Sequence, residues 1–200
     1  MPYLFALGGA GHVHEALSRT AMGALDSNAK SFLKKDRCFA CSIKTSAGIF
    51  RAFYTENGLV KLEFPSKTGH SKHGNKPAIP QKISAWHSLT TKAVRKILEG
   101  LPADSLPPLD ISSGTEFQLR VWRALMAIPC GKTRTYGQIA EALGMPGAAR
   151  AVGRACGANP IPLLIPCHRV LACNNLLGGF SAGLEWKQRL LAAEGIRLKK

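Results

Sequence analysis

A proline-rich stretch near the middle of the chain, LPADSLPPLDISSG (101–114), limits how the 200 residues can be organised. Its three prolines and its polar residues disfavour a helix or a central strand, so the stretch predicts a linker. Short β-branched and aromatic runs precede it, and helical patterns follow it. We therefore predict two domains, 38–103 and 114–200, joined by a linker at 104–113. Residues 1–37 are left as an N-terminal extension of unknown role.

The segment before the linker has the pattern of a small antiparallel sheet. Three short runs, FACSIKTS, GIFRAFYT and LVKLEF, are separated by the turn signals SAG and ENG. The stretch that follows (65–82) is rich in Lys, Gly and Pro and predicts an exposed loop. Ser84 is then a candidate N-cap for an amphipathic helix that Gly100 ends.

The segment after the linker is predicted to be mostly helical. Thr115 is a candidate N-cap for EFQLRVWRALMAI, and two shorter helical patterns follow, YGQIAEALG and AARAVGRACGAN, joined by the turn MPG. This arrangement is typical of a helix-turn-helix, although any helical hairpin has a similar pattern. Arg150 and Arg154 share one face of the second short helix, among small residues that would let the helix approach a groove closely. The alternative is a tightly packed internal helix with two solvated arginines.

The charge of the chain indicates a polyanionic partner. There are 27 Lys and Arg against 12 Asp and Glu, which gives a formal net charge of +15. Nucleic acid is the first candidate partner, and an anionic membrane surface is the second. No apolar run approaches the roughly 20 residues that span a bilayer. Six cysteines without a regular framework favour a reduced, intracellular protein, and the N-terminus lacks the basic segment of a secretory signal.

A Cys-x-x-Cys motif raises the question of a metal. Cys38 and Cys41, together with His70 and His73, contain the donor types of a zinc site. However, the motif opens a predicted strand and the histidines lie in the Lys-rich loop, unlike the usual knuckle spacing. We therefore favour no structural zinc and predict no required cofactor.

The run PIPLLIPCHRV (160–170) places a cysteine directly before a histidine. Cys167 is either a small buried hydrophobic residue or a nucleophile. An apolar setting would raise the pKa of its thiol, so a nucleophile here needs a base, for which His168 is the candidate. Successive side chains of an extended segment point to opposite sides. The chain must therefore turn sharply at Pro166–Cys167, or an intermediary such as water must carry the proton.

Residues 114–195 carry a specific resemblance. The run GTEFQLRVWRALMAIPCGKTRTYGQIAEALGMPGAARAVGRACGANPIPLLIPCHRV, followed by LGGFSAGLEWKQRLLAAEG, resembles the O6-alkylguanine-DNA alkyltransferase family, the methylated-DNA–protein-cysteine methyltransferases. Residues 38–110 agree only in architecture. The resemblance implies an α+β fold with two parts. The N-terminal part is a small antiparallel sheet with a helix, ribonuclease-H-like. The C-terminal part is a mostly α, winged-helix-like domain that binds DNA and carries the catalytic residues.

The resemblance also implies an activity. A member of this family moves an alkyl group from O6 of guanine in duplex DNA to the cysteine of PCHR in a single, irreversible turnover with base flipping. O4 of thymine is a second candidate substrate atom. The implied partner is double-stranded DNA containing O6-alkylguanine, the implied state is a monomer, and no membrane is involved. The expected compartment is the cytoplasm, with the nucleoid, in a prokaryote and the nucleus in a eukaryote.

The site residues implied by the resemblance fall into three groups. In the catalytic group, Cys167 is the alkyl acceptor, and His168 is a base that acts through a bridging water. Glu194 would orient the imidazole, and Asn159 would hold the active-site turn. Tyr136 would donate toward the guanine ring, and Lys187 would support proton delivery. The substrate-binding group is Val170, Ser181, Phe180 and Pro162. The DNA-binding group is Arg150, which would enter the base stack, with Arg154, Ala149 and Tyr136.

Two departures from the family pattern accompany the resemblance. Phe180 stands where some members carry Tyr, which keeps an aromatic wall without a hydroxyl, and Cys173 places an unusual second thiol six residues after the acceptor. Because position 167 is Cys and not the Trp of non-catalytic alkyltransferase-like proteins, we expect activity. The competing interpretation is a non-catalytic protein of the same fold that recognises alkyl lesions or regulates through DNA binding. A cysteine hydrolase would need an oxyanion hole that the sequence does not identify.

Overall fold

The N-terminal part of the fold is a three-stranded antiparallel sheet with one helix. The computed structural model describes residues 38–66 and 79–197. Strands β1 (Phe39–Thr45), β2 (Gly48–Tyr54) and β3 (Leu59–Glu63) pair in the order β1-β2-β3. In β1 the buried residues Cys41 and Ile43 alternate with exposed ones, so one face of the strand belongs to the core. The predicted meander is confirmed, and the N-terminal extension lies outside the described residues.

Helix α1 (Gln81–Leu98) packs against β1 and β2. The prediction that Ser84 caps this helix is wrong, because the helix begins at Gln81 after Pro80, and Ser84 lies exposed inside it. Pro80 needs no backbone donor at this position, and the extra turn brings Ile83 into the core. The helix ends before Gly100, which adopts a φ of +76°, as predicted.

The predicted linker after α1 is hydrogen-bonded to the sheet, along the edge of β3. The backbone N–H of Leu59 donates to the carbonyl of Pro108 (2.8 Å), and the N–H of Asp110 donates to the carbonyl of Leu59 (2.9 Å). Strand β3 therefore has an edge that is partly covered by the predicted linker. The division of the chain into domains at this stretch stays a prediction.

Four helices and two very short strands follow. They are α2 (Glu116–Met126), β4 (Arg134–Thr135), α3 (Tyr136–Ala142), α4 (Ala149–Gly157), β5 (Val170–Leu171) and α5 (Leu184–Ala193). Thr115 and Thr135 each form a capping box with the glutamine three residues later, which fixes where α2 and α3 begin. The predicted cap at Thr115 is confirmed.

The two short helices form the predicted hairpin. Helices α3 and α4 pack against each other, and α2 packs against both. The indole of Trp122 on α2 donates a hydrogen bond to the carbonyl of Ala155 on α4 (2.8 Å), so the buried side of α4 is fixed to the core. The opposite side, with Arg150 and Arg154, is exposed.

One hydrophobic core extends through both parts of the chain. Aromatic rings connect them: Phe64, just after β3, lies edge-on to Trp186 of α5 (ring centroids 4.9 Å apart) and to Phe180 (5.7 Å). The α+β class, with a small sheet and a helical second part, is confirmed. Within residues 38–66 and 79–197, no helix has both the length and the apolar character needed to span a bilayer.

Candidate active site

A buried loop carries Cys167, and Asn159 holds it in shape. The Oδ1 atom of Asn159 accepts from the N–H of Ile161 (3.0 Å), and its Nδ2 donates to the carbonyl of Ile165 (2.8 Å). The same Nδ2 group lies 3.2 Å from the Sγ atom of Cys167. Leu163 within the loop has a φ of +75°, a conformation that a non-glycine residue keeps only when its surroundings impose it. Asn159 therefore bonds to the loop and to the thiol that follows it.

The chain turns sharply where the cysteine and the histidine meet. Residues Cys167–Arg169 form one turn of 3₁₀ helix after Pro166, which is the turn that the sequence left open as an alternative. The thiol of Cys167 points to Asn159, whereas the imidazole of His168 bonds to Glu194 through Nε2 (2.9 Å). The two adjacent side chains therefore have separate partners.

The thiol is deeply buried, with 4% of Cys167 exposed. Burial raises the pKa of Cys167, while the Asn159 amide and the positive charge of Lys187 act in the opposite direction. The resting group is therefore a thiol, and two nearby groups stabilise the thiolate when it forms.

Behind the thiol, three charged or ionisable side chains share one buried network. Glu194, at the C-terminal end of α5, receives hydrogen bonds from His168, from Arg169 (Nη2–Oε1 2.9 Å) and from the backbone N–H of Gly131 (3.0 Å). Burial alone would raise the pKa of Glu194, but these hydrogen bonds lower it to about 2. The carboxylate is therefore ionised at neutral pH.

The free nitrogen of the imidazole is the unusual atom of this network. Burial lowers the pKa of His168, and the bond to Glu194 opposes that effect. Because Nε2 faces a carboxylate, Nε2 carries the proton and Nδ1 is the basic atom of the neutral ring. Nδ1 is buried and has no hydrogen-bond partner, and no other buried side-chain nitrogen or oxygen in the described part of the chain is in that position.

Lys187 is a buried cation on α5 close to the thiol. Its Nζ donates to the carbonyls of Val170 (2.6 Å), Leu177 and Gly179 (3.3 Å). Burial lowers the pKa of Lys187 to about 8, while thiolates at Cys167 and Cys156 would raise it. The ammonium thus ties the segment after the cysteine to α5.

In front of the thiol lies a cavity of about 850 Å³. Helices α3 and α4 and the segment 172–181 line it. Of the predicted site residues, it brings together Tyr136, Ala149, Arg150, Arg154, Cys167, Phe180 and Ser181. Val170 and Pro162 are buried but do not line the cavity; the carbonyl of Val170 is bonded to Lys187, and Pro162 pairs with Ile165. Their assignment to the substrate stays a prediction.

Tyr136 stands at the first position of α3 and lines the cavity wall. Burial raises the pKa of its hydroxyl to about 12, with smaller contributions from Cys156 and Cys167. Gly178 (φ +62°) passes so close that a Cβ there would lie 3.0 Å from the Tyr136 hydroxyl. Tyr136 is therefore protonated and can donate a hydrogen bond, and the backbone at Gly178 packs closely against its ring.

Two residues of this region were not predicted from the sequence. Cys156 of α4 lines the cavity together with Cys167, and Arg169 belongs to the buried network. The spacing of Cys156 from Gly153, also on the cavity side of α4, was a usable signal. The arginine in PCHR was visible, but its carboxylate partner lies 25 residues further along the chain.

The described residues include two of the four candidate zinc ligands. Cys38 precedes β1 and Cys41 lies within it, whereas His70 and His73 lie outside the described residues. Among the residues that the structure describes, no three or more His, Cys, Asp or Glu side chains converge as metal ligands would. The expectation of no cofactor stays a prediction.

The thiol of Cys167 is buried, with a histidine–carboxylate pair behind it and an open cavity in front of it. This arrangement defines a class of protein whose cysteine reacts with a molecule that enters the cavity. Residues 116–196 match the family model "6-O-methylguanine DNA methyltransferase, DNA binding domain". A crystal structure of Mycobacterium tuberculosis OGT in complex with DNA is 35% identical, with a TM-score of 0.63, over 76% of this chain and 90% of that one. The chain belongs to the O6-methylguanine DNA methyltransferase family.

Curated relatives agree over the C-terminal part. The methylated-DNA–protein-cysteine methyltransferase of Mycolicibacterium paratuberculosis is 60% identical over 81 residues, which are 40% of this chain and 49% of that protein. The Salmonella typhimurium protein of the same name is 55% identical over 87 residues, 44% of this chain and 51% of that protein. The chain thus spans about half the length of the curated relatives it matches.

Proposed function

We propose that this protein repairs DNA by moving an alkyl group, methyl above all, from O6 of guanine in duplex DNA to the Sγ atom of Cys167. The observation that carries the proposal is the position of Cys167, between a donor that stabilises the thiolate and an open cavity. The names of the relatives, methylated-DNA–protein-cysteine methyltransferases, support the reaction and its substrate.

The first step is removal of the thiol proton. A water bonded to Nδ1 of His168, the buried atom that lacks a partner, would pass the proton of Cys167 to the imidazole. Glu194, ionised and bonded to Nε2, stabilises the imidazolium that results. This relay meets the geometric objection that the adjacent thiol and imidazole have separate partners.

The second step transfers the alkyl group. The thiolate attacks the alkyl carbon, the S–C bond forms, the bond from that carbon to O6 breaks, and its electron pair stays on the guanine. Tyr136, whose pKa burial raises to about 12, keeps its proton and donates a hydrogen bond to the guanine ring. The proton first taken from Cys167 passes from the His168 imidazolium, through water, to the guanine, so that guanine leaves as a neutral molecule. The thioether at Cys167 is stable, so each chain reacts once.

Recognition of the base combines the cavity wall and the backbone. We assign Ser181 to O6 and Phe180 to the wall against which the base lies, since both line the cavity. The backbone of Cys167 and Val170 would face the exocyclic amine, and Pro162 would support the loop from behind. O4 of thymine is a second substrate atom, since it presents an alkylated oxygen of the same kind.

Helix α4 would dock on the DNA. Flipping the nucleotide out of the duplex costs a few kcal/mol of unstacking, and Arg150 would offset this cost by occupying the space that the nucleotide leaves. Arg154 would bind phosphate. Small residues such as Ala149 let the helix approach closely. The net charge of +15 favours this partner. We further propose that the protein acts as a monomer, without a cofactor, in the compartment that holds the DNA, which is the cytoplasm in bacteria such as those of the named relatives.

The test is a single-turnover reaction with a duplex that carries labelled O6-methylguanine. We expect one label per chain, on the peptide that contains Cys167. Cys167→Ala should abolish transfer and still bind the lesion, while Cys173→Ser, which removes an exposed thiol that also lines the cavity, should still transfer. Tight binding of an unchanged lesion by the unaltered protein would instead identify a non-catalytic lesion-recognition or regulatory protein.

A further inference from the structure

Arg169 is a buried cation to which the proposed reaction assigns no task. Only 8% of the residue is exposed, and each of its three guanidinium nitrogens donates a hydrogen bond. Nε lies 3.0 Å from Oε1 and 3.1 Å from Oε2 of Glu194, and Nη2 lies 2.9 Å from Oε1. Nη1 donates to the carbonyl of Ile128 (2.7 Å). A buried arginine with this geometry is held by, and in turn holds, its partners.

Glu194 has few other means of keeping its orientation. Its side chain has rotatable bonds and lies at the end of α5, where the helix no longer restricts it. Besides His168, its partners are the guanidinium of Arg169 and the N–H of Gly131. Arg169 bonds to the carbonyl of Ile128 in the turn after α2, and Gly131 lies in that same turn. Both partners of the carboxylate are therefore fixed to this turn. The carboxylate is thus fixed to backbone on one side and presents Oε1 to the imidazole on the other.

We propose that Arg169 is a positioning residue that holds ionised Glu194 in the one orientation that keeps the proton of His168 on Nε2 and leaves Nδ1 free as the base. The inference rests on the proposed alkyl transfer and adds a residue that acts through Glu194, without touching the substrate.

Charge works in the same direction as geometry. The charged groups that act on the imidazole are Glu194 and Lys187 from α5 and Arg169 from its own turn, and Cys130 interacts with Glu194 and Arg169. Burial lowers the pKa of His168, Glu194 raises it, and the positive charges of Arg169 and Lys187 lower it. Loss of the Arg169 charge should therefore make the imidazole more basic, so that it stays protonated, and unable to accept a proton, up to a higher pH.

The experiment compares Arg169→Lys, Arg169→Met and the matched control Arg95→Lys. Arg95 also donates to a backbone carbonyl, that of Lys44, but does so on α1 and at the surface. We measure the single-turnover rate of methyl transfer from duplex O6-methylguanine between pH 5.5 and 9, together with affinity for the lesion and the ¹⁵N chemical shifts of His168.

Arg169→Lys keeps the charge but not the two-pronged contact. It should slow transfer by about 10- to 100-fold, a loss typical of residues that orient a reacting group, and leave lesion affinity unchanged. Both variants should reduce the Nε2–H tautomer, and Arg169→Met should in addition move the acid limb of the rate profile to higher pH. Arg95→Lys should behave as the unaltered protein. If Arg169→Met does not fold, the lysine variant carries the test through its rate and tautomer.

A wild-type rate, pH profile and tautomer in both Arg169 variants would overturn the inference. The failure of the proposed function has a different signature: the unaltered protein would then transfer no methyl group at all. In that case the ¹⁵N tautomer measurement would still decide whether Arg169 positions the Glu194–His168 pair.

Discussion

The two sides of Cys167 differ in almost every physical property. Behind the thiol, His168, Arg169 and Glu194 are buried, and their charges are bonded to one another and to backbone. In front of it, small residues, two aromatic rings and two exposed arginines surround an open cavity. The groups proposed to move protons are thus fixed before any ligand arrives, whereas the groups proposed to hold DNA remain solvated. Changes behind the thiol should therefore affect chemistry, and changes in front should affect binding.

The largest effect is expected behind the thiol, from Glu194→Gln. An amide can donate to Nε2 and so favour the wrong tautomer of His168, and it cannot stabilise an imidazolium as a carboxylate does. We expect the single-turnover rate to fall about 10³-fold or more, comparable to the loss of the orienting carboxylate in other His–carboxylate pairs. The loss should be the same for duplex DNA and for free O6-alkylguanine base.

The control for that variant is Glu185→Gln, which changes an exposed carboxylate in the first turn of the same helix. It should leave the rate unchanged. A Glu194→Gln protein that reacts within a few-fold of the normal rate would remove the carboxylate from the mechanism.

The next largest effect concerns stability in acid. The pKa of Glu194 falls from 4.5 to about 2 on folding, so its stabilising contribution is present above pH 4.5 and is lost as the pH falls toward 2. This difference corresponds to a contribution on the order of 3 kcal/mol to the free energy of unfolding. Urea unfolding at a series of pH values should reveal the decline, and Glu194→Gln should have a shallower one. Equal acid slopes in the two proteins would contradict the buried network.

The smallest effect is expected in front of the thiol, from Arg150→Ala. Loss of the residue that would fill the base stack should reduce the rate on duplex DNA at limiting protein by about 10- to 100-fold, since a few kcal/mol of unstacking is no longer offset. The rate with free O6-alkylguanine base should not change, because that substrate needs no flipping. An equal loss with both substrates would mean that Arg150 serves the chemistry and that the two sides are not separate.

Local sequence patterns predicted the helices and strands well, but they did not predict the contacts between residues far apart in the chain. Thr115 was identified as a cap because its glutamine partner lies three residues away, within the range that a sequence pattern covers. Ser84 was misassigned because Pro80, a weaker cap signal, gains a turn that buries Ile83. The stretch around Leu109 was predicted as a linker, since nothing local reveals that it borders β3.

The candidate site divides in the same way. The family pattern around Cys167 pointed to seven of the fifteen residues that line the cavity, including Tyr136 and Ser181. It did not reveal Arg169 as a partner of Glu194, because that contact depends on how α5 returns to the turn after α2. A pattern of residue types specifies which groups are present, and only the packed helices specify which of them meet.

The end of α1 gives the N-terminal part of the chain an influence on the site that its own residues do not suggest. Gly100 lies so close to the carbonyl of Ala193 that a Cβ would collide with it, and the thiol of Cys130 donates to the carbonyl of Gly100 (3.2 Å). Ala193 immediately precedes Glu194. A single methyl group added at position 100, just after a helix that contains no reacting group, would thus press on Ala193 and displace the neighbouring Glu194 carboxylate from the imidazole.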